Sequence, residues 1–257
     1  MKQSYKQNQV ISYYMCDRNR TLTLSMLVNL LMEVSENHSA GLGREESFMR
    51  ERGLSWIILR YEFDIDRMPA YKEEVEIETF ATEYNKLFTY REFIVRDKTN
   101  ASIIKVKTTF ALMTNETRKM ARIPEEVVEP YGAVFSKRIR RDAKPNEVDL
   151  EQADEKNYFV RYFDIDPNQH VNNSKYIDWL LDTLEPEFLS KNHLRHGVIS
   201  FDKEVKEGDA VTSKVSRRSE DDLHTDHRIF VKDTVHAAAS FKWTENTRME
   251  SHDGNDQ

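Results

Sequence analysis

Between residues 164 and 179 the chain reads Asp164-Ile165-Asp166-Pro167-Asn168-Gln169-His170-Val171-Asn172-Asn173-Ser174-Lys175-Tyr176-Ile177-Asp178-Trp179, which gathers carboxylates, amides and one imidazole within a few positions. Pro167 cannot continue a strand ladder, and Asn172 or Asn173 can cap a helix whose apolar positions Tyr176, Ile177, Leu180, Leu181 and Leu184 share one face. The polar groups therefore collect at a helix N-terminus. Unpaired backbone N–H groups and the positive end of the helix dipole suit a carbonyl oxygen that gains negative charge during acyl transfer. Alone, Asp166 or Asn168 would read as a turn or cap residue and His170 as a hydrogen-bonded structural histidine; together, ahead of a helix, they read as chemistry.

The elements that must position this stretch follow from hydrophobic patterning. An apolar run at 158–165 predicts a strand before it and the periodicity at 173–184 a helix after it. At the start of the chain, 6–16 predicts a strand that ends at Asp17-Arg18-Asn19-Arg20. Leu22, Leu24, Met26, Leu27, Val28, Leu30, Leu31, Met32 and Val34 then leave little polar face, so the helix they predict should be buried nearly all round, with Gly41 and Gly43 closing it. Strands are expected at 54–66, 73–82, 88–96 and 103–113, and again at 196–205, 210–217, 223–232 and 235–243.

The second half thus repeats the first. Glu92-Phe93-Ile94-Val95-Arg96-Asp97 echoes Arg228-Ile229-Phe230-Val231-Lys232-Asp233, and Glu116-Thr117-Arg118 echoes Asn246-Thr247-Arg248. Aligned this way, Asp17 and Asn19 stand opposite Asp166 and Asn168, but Thr21 stands opposite His170. Setting 56–63 against 198–205 puts Glu62 opposite Glu204. Two similar domains are expected, at 1–130 and 157–247, pairing their sheets edge to edge. A charged connector at 131–156 and a polar tail at 248–257 complete the division.

Composition bounds the alternatives. A chain of 257 residues, 39% apolar and 32% charged, has the make-up of a soluble globular protein. The apolar runs are too short to span a bilayer and the N-terminus has no apolar signal region, so a cytoplasmic protein is expected. The single cysteine, Cys16, excludes an internal disulfide framework and a cysteine zinc cage, and reads as a small core residue. A net charge of −7 argues against nucleic acid as a partner.

At this level the chain resembles the acyl-acyl-carrier-protein thioesterases of plant plastids and bacteria. In the first half the resemblance rests on Asp17-Arg18, the run 27–33 with Asn37-His38, Trp56, Met113, Asn115-Glu116-Thr117-Arg118 and Ile123-Pro124. In the second it rests on Asp166 to Asn173, Tyr176 to Trp179, and Glu204. It implies an α+β fold of two tandem hot-dog domains, each a curved antiparallel sheet wrapped around a long helix, and hydrolysis of fatty acyl-acyl-carrier-protein (acyl-ACP) to free fatty acid. An acyl-CoA thioesterase and a non-catalytic acyl-binding protein are the alternatives.

Carried over position by position, the catalytic candidates are Asp166, Asn168, His170 and Glu204. Where the plant pattern has a cysteine after the glutamate this chain has Val205, which removes a thiol nucleophile and leaves a water activated by Glu204. Leu24, Met26, Leu27, Val28 and Leu31 are candidates for shaping the acyl pocket, and Lys137, Arg138, Arg140 and Arg141 for meeting the acidic carrier protein. No cofactor or metal is expected, and the assembly expected is a monomer with an internal pseudo-dimer, or a homodimer.

Overall fold

A computed structural model describes residues 3–166, 169–217 and 222–246. The first half begins with β1 (Ser4–Val10) and a single 3-10 turn, Tyr13–Met15, before α1 (Leu24–Gly41) and the short α2 (Glu46–Glu51). Four strands follow: β2 (Leu54–Ile65), β3 (Glu74–Tyr84), β4 (Phe88–Arg96) and β5 (Ser102–Thr114). After β6 (Met120–Ala121), α3 (Glu125–Val128) and β7 (Val134–Phe135), the second half repeats the order. It runs β8 (Asp154–Phe159), a 3-10 turn Tyr162–Asp164, α4 (Asn173–Asp182), α5 (Pro186–Lys191), β9 (Asn192–Phe201), β10 (Ala210–Arg217), β11 (His224–Val231) and β12 (Thr234–Glu245).

The main strands form one antiparallel sheet in the order β1-β3-β4-β5-β2-β9-β12-β11-β10-β8, which reads the same from either end once each strand is replaced by its repeat. The halves meet where β2 pairs β9, from Arg60 opposite Ser200 to Asp64 opposite His196, with Glu62 and Val198 at the centre. Each half wraps its sheet around its own helix, and α1 packs on α4 beneath the seam. This is the double hot-dog architecture the resemblance implies.

Sequence dictates how α1 sits. Thr23 caps it by accepting from the Met26 amide at 3.2 Å. Leu24, Ser25, Leu27, Val28, Leu30, Leu31 and Val34 are buried, so the first turns are enclosed as expected. Beyond Val34 the helix is amphipathic instead: Glu36 and Asn37 face out and His38 faces in. His38 lies between the rings of Tyr5 and Tyr131, and its Nδ1 is 3.0 Å from the Arg91 guanidinium. Arginine can only donate, so Nδ1 is the acceptor and the ring is neutral.

Three strand expectations are corrected. The runs 6–16 and 158–165 each end as strands early, at Val10 and Phe159, and continue into the 3-10 turns. Tyr13, Tyr14, Tyr162 and Phe163 made both runs look like buried strand, yet all four are on the surface. The last strand residue before Glu204 is Phe201, so Glu204 belongs to the connection between β9 and β10 and not to a strand.

Candidate functional site

The polar stretch ahead of α4 is a closed loop. Isolated bridge pairing joins Ile165 to Val171, the Asp166 amide donates to the His170 carbonyl at 2.8 Å, and the His170 amide donates to Asp166 Oδ1 at 3.3 Å. Gln169 adopts φ 64°, the left-handed conformation that lets so short a loop close. Asn172 caps the helix by accepting from the Ser174 amide at 2.9 Å. Asn168 lies outside the described residues.

The first half builds the same loop with different chemistry. The Asp17 amide donates to the Thr21 carbonyl at 2.9 Å, the Thr21 amide donates to Asp17 Oδ1 at 3.1 Å, and Arg20 takes φ 60°. Thr21 spends its hydroxyl on Asp17 Oδ1 at 3.1 Å. The loop is therefore a scaffold common to both halves, and the imidazole belongs to the second alone.

Glu204 reaches the loop from the β9–β10 connection. The Val205 amide donates to the Tyr176 hydroxyl of α4 at 2.8 Å, and the Lys206 amide donates to Asp209 Oδ2 at 2.8 Å. Burial pushes the Tyr176 phenol well up, so the hydroxyl stays neutral as a fixed post for this connection. The first half has a matching turn, in which the Ala70 amide donates to Glu73 Oε2 at 2.9 Å and Lys72, like Gly208, has positive φ. Counting back from Ala70 and Lys206 sets Met68, and not Glu62, opposite Glu204. Glu62 lies at the centre of the seam, where Lys107 Nζ donates to it at 2.9 Å.

His170 Nε2 lies 3.7 Å from Glu204 Oε1. One Arg118 nitrogen, Nη2, joins them: it donates to Glu204 Oε1 and lies 2.9 Å from His170 Nε2. Because arginine only donates, Nε2 is the acceptor and the neutral ring carries its proton on Nδ1. Arg118 was legible in the sequence only as part of the run 115–118 and had no role there. A fourth side chain, Glu36 of α1, feels the charge of Asp166 in this loop. Desolvation raises its carboxyl above the ordinary range, and the negative charges of Glu46, Asp166 and Glu33 push it further.

A cavity of about 1450 Å³ opens between the halves alongside α1 and α4. Leu24 lines it, with Leu22, Met68, Trp179, Leu184 and Trp243; His170, Glu204 and Arg118 do not. Of the other pocket candidates, Leu27, Val28 and Leu31 are packed in the core and Met26 is half-buried against it. The basic cluster lies on the connector, where Arg140 is committed: its Nε is 3.2 Å from Asp142 Oδ1 and its guanidinium covers the Tyr90 ring at 5.6 Å. Lys137, Arg138 and Arg141 have no ion pair among the described residues.

Comparison with known proteins gives a consistent set. Residues 2–131 match the acyl-ACP thioesterase N-terminal domain and residues 147–245 the acyl-ACP thioesterase C-terminal domain. The chloroplastic oleoyl-acyl carrier protein thioesterase of Coriandrum sativum is 29% identical over 237 residues, which are 85% of this chain and 64% of that protein. The chain thus spans a little under two thirds of the length of such plant relatives. A crystal structure assigned as an oleoyl thioesterase from Lactobacillus plantarum is 35% identical, covers 95% of this chain and 97% of its own, and superposes with a TM-score of 0.90. The 12:0-ACP thioesterase from Umbellularia californica shares the fold at 22% identity, with a TM-score of 0.84 over 95% of this chain and 98% of its own.

Proposed function

The chain belongs to the acyl-ACP thioesterase family, and from that membership we propose that it hydrolyses the thioester of fatty acyl-ACP, releasing free fatty acid and ending chain elongation. The observation that carries the reading is an asymmetry between two copies of one loop: His170 faces Glu204 in the second half, whereas the first has Thr21 and Met68.

In this reading Glu204 takes a proton from a water as its oxygen attacks the thioester carbonyl carbon. The carbonyl electron pair moves onto oxygen, where the Asn168 amide and the amides opening α4 meet the negative charge. Collapse breaks the carbon–sulfur bond, and the departing phosphopantetheine sulfur takes the proton from Glu204, leaving the fatty acid. Asp166 holds the loop that carries His170, and His170 orients the Glu204 carboxylate. Val205 offers no nucleophile, so no covalent intermediate is needed. A general base contributes roughly 10² to 10⁴ in rate and an oxyanion donor roughly 10² to 10³, enough for useful turnover.

The acyl chain is taken to run along α1, with Leu24 bordering its path and Met26, Leu27, Val28 and Leu31 backing that wall from the core. Acyl carrier protein is the partner, met by Lys137, Arg138 and Arg141; Arg140, already held by Asp142, is the weakest of that set. No described helix is long and apolar enough to cross a membrane, and a cytoplasmic site of action completes the proposal. A panel of acyl-ACP thioesters of graded length, run beside the matching acyl-CoA series and scored by free fatty acid, tests it. Preferential release from the carrier-protein series is expected; no release from any acyl-ACP would overturn it.

A further inference from the structure

The run Asn115-Glu116-Thr117-Arg118 is part of the family resemblance, yet the hydrolytic reading leaves it without a task. It forms the turn between β5 and β6, in the first half of the chain, while the groups that carry the proposed chemistry come from the second. The turn is built to aim one side chain. Thr114 and Thr117 hydroxyls meet at 2.6 Å, the Arg118 amide donates to the Thr114 carbonyl at 3.0 Å, and the Thr114 amide donates to the Lys119 carbonyl at 2.9 Å. Arg118 itself sits at φ 51°, a left-handed conformation that a residue with a side chain adopts only when its surroundings hold it there.

We propose that Arg118 is a positioning residue of the hydrolytic site, supplied by the first half to the second. It rests on the reading of Glu204 as the base. Its Nη2 donates to Glu204 Oε1 and reaches His170 Nε2, so one planar, permanently charged group fixes the spacing of both. A carboxylate on a loop has several rotamers; pinned through Oε1, it presents Oε2 to the water in one orientation. The same contact locks His170 as the Nδ1–H tautomer. At 35% exposure Arg118 is held by these two partners and not by a packed core, which is why its loss should show in turnover before it shows in stability.

Steady-state hydrolysis of acyl-ACP by Arg118→Ala, Arg118→Lys, Glu204→Gln and the double variant Arg118→Ala/Glu204→Gln, with thermal unfolding of each, tests this. Arg118→Ala should lose tenfold or more in kcat with KM within about threefold, keep its melting temperature, and recover activity in millimolar guanidinium. Arg118→Lys should fall between. In the Glu204→Gln background the alanine change should add almost nothing, because Arg118 acts through that carboxylate. An Arg118→Ala enzyme within twofold of the parent, a loss confined to KM, or a full further loss in the double variant would overturn the assignment while leaving Glu204 as base. Near-normal turnover in Glu204→Gln would instead remove the base and the positioning role with it.

Discussion

Glu62 of β2 and Val198 of β9 face each other across the seam between the halves, and they are also each other's counterparts in the repeat. The pairing from Arg60–Ser200 to Asp64–His196 is symmetric about them, so the pseudo-twofold axis passes through this pair. A residue on that axis has no second version elsewhere, and the carboxylate of Glu62 is accounted for by Lys107.

This makes Glu62 a sound control for the proposed base. Glu204→Gln keeps size and hydrogen bonding but cannot take a proton from water, so turnover should fall by roughly 10² or more with the fold intact. Glu62→Gln loses one partly buried ion pair away from the reacting groups and should retain turnover within about twofold. Acyl-ACP hydrolysis and thermal unfolding of the two variants check this, and equal losses in both would favour a structural role for Glu204.

That the sequence alone sets Glu62 opposite Glu204 has a physical cause. Strand residues alternate faces with period two, so a slip by an even number of positions leaves the apolar pattern intact. The turn fixes the register where the strand cannot: Ala70–Glu73 and Lys206–Asp209 repeat one hydrogen bond, and Lys72 and Gly208 repeat one left-handed residue. The halves, their buried helices and the loop ahead of α4 were legible because apolar periodicity and cap residues are local. Arg118 was not, since its partner Glu204 is 86 positions away and nothing in the spacing of either announces the other.

Chain-length preference should respond to α1 in a graded way. Leu24 is buried but borders the open cavity, so Leu24→Trp should shift preference toward shorter acyl chains at a smaller stability cost than enlarging the residues packed behind it. Leu27, Val28 and Leu31 are in the packed core, and enlarging any of them should cost about 1–3 kcal/mol. Product distribution across an acyl-ACP length series, with denaturant unfolding, separates the two effects. An unchanged profile in Leu24→Trp would remove the cavity from the acyl path.

Stability should fall below neutral pH before the carboxylates titrate. Burial, with the charge of Arg91, holds His38 down to about 4, and burial, with Arg217 and Arg228, holds His227 down to about 3. Both lie below the ordinary 6.5, so the unfolded chain binds protons first. Stability is complete above about pH 6.5 and declines as pH drops through the window down to 4 and 3, by roughly 1.4 kcal/mol per pH unit for each histidine. A melting temperature that stays flat from pH 7 to pH 5 would contradict this.

If the connector meets the carrier protein, association should be sensitive to ionic strength, because the chain as a whole is acidic and attraction must be local. Charge reversal at Lys137, Arg138 and Arg141 together should raise KM for acyl-ACP several-fold and flatten its salt dependence, with acyl-CoA hydrolysis unaffected. A KM indifferent to both changes would exclude this surface.

Among the described residues the palindromic strand order runs out at β1 on one side and β8 on the other, with the two-residue strands β6 and β7 adding short side branches. Unpaired strand margins invite recruitment of further chains, and long flat apolar ones seed aggregates. Here Lys6, Gln7, Asn8 and Gln9 occupy one margin and Asp154, Glu155, Lys156 and Asn157 the other. Pairing β2 with β9 encloses these two strands on both sides, so the strands left at the ends of the order are ones whose charged and amide side chains make poor templates for another chain.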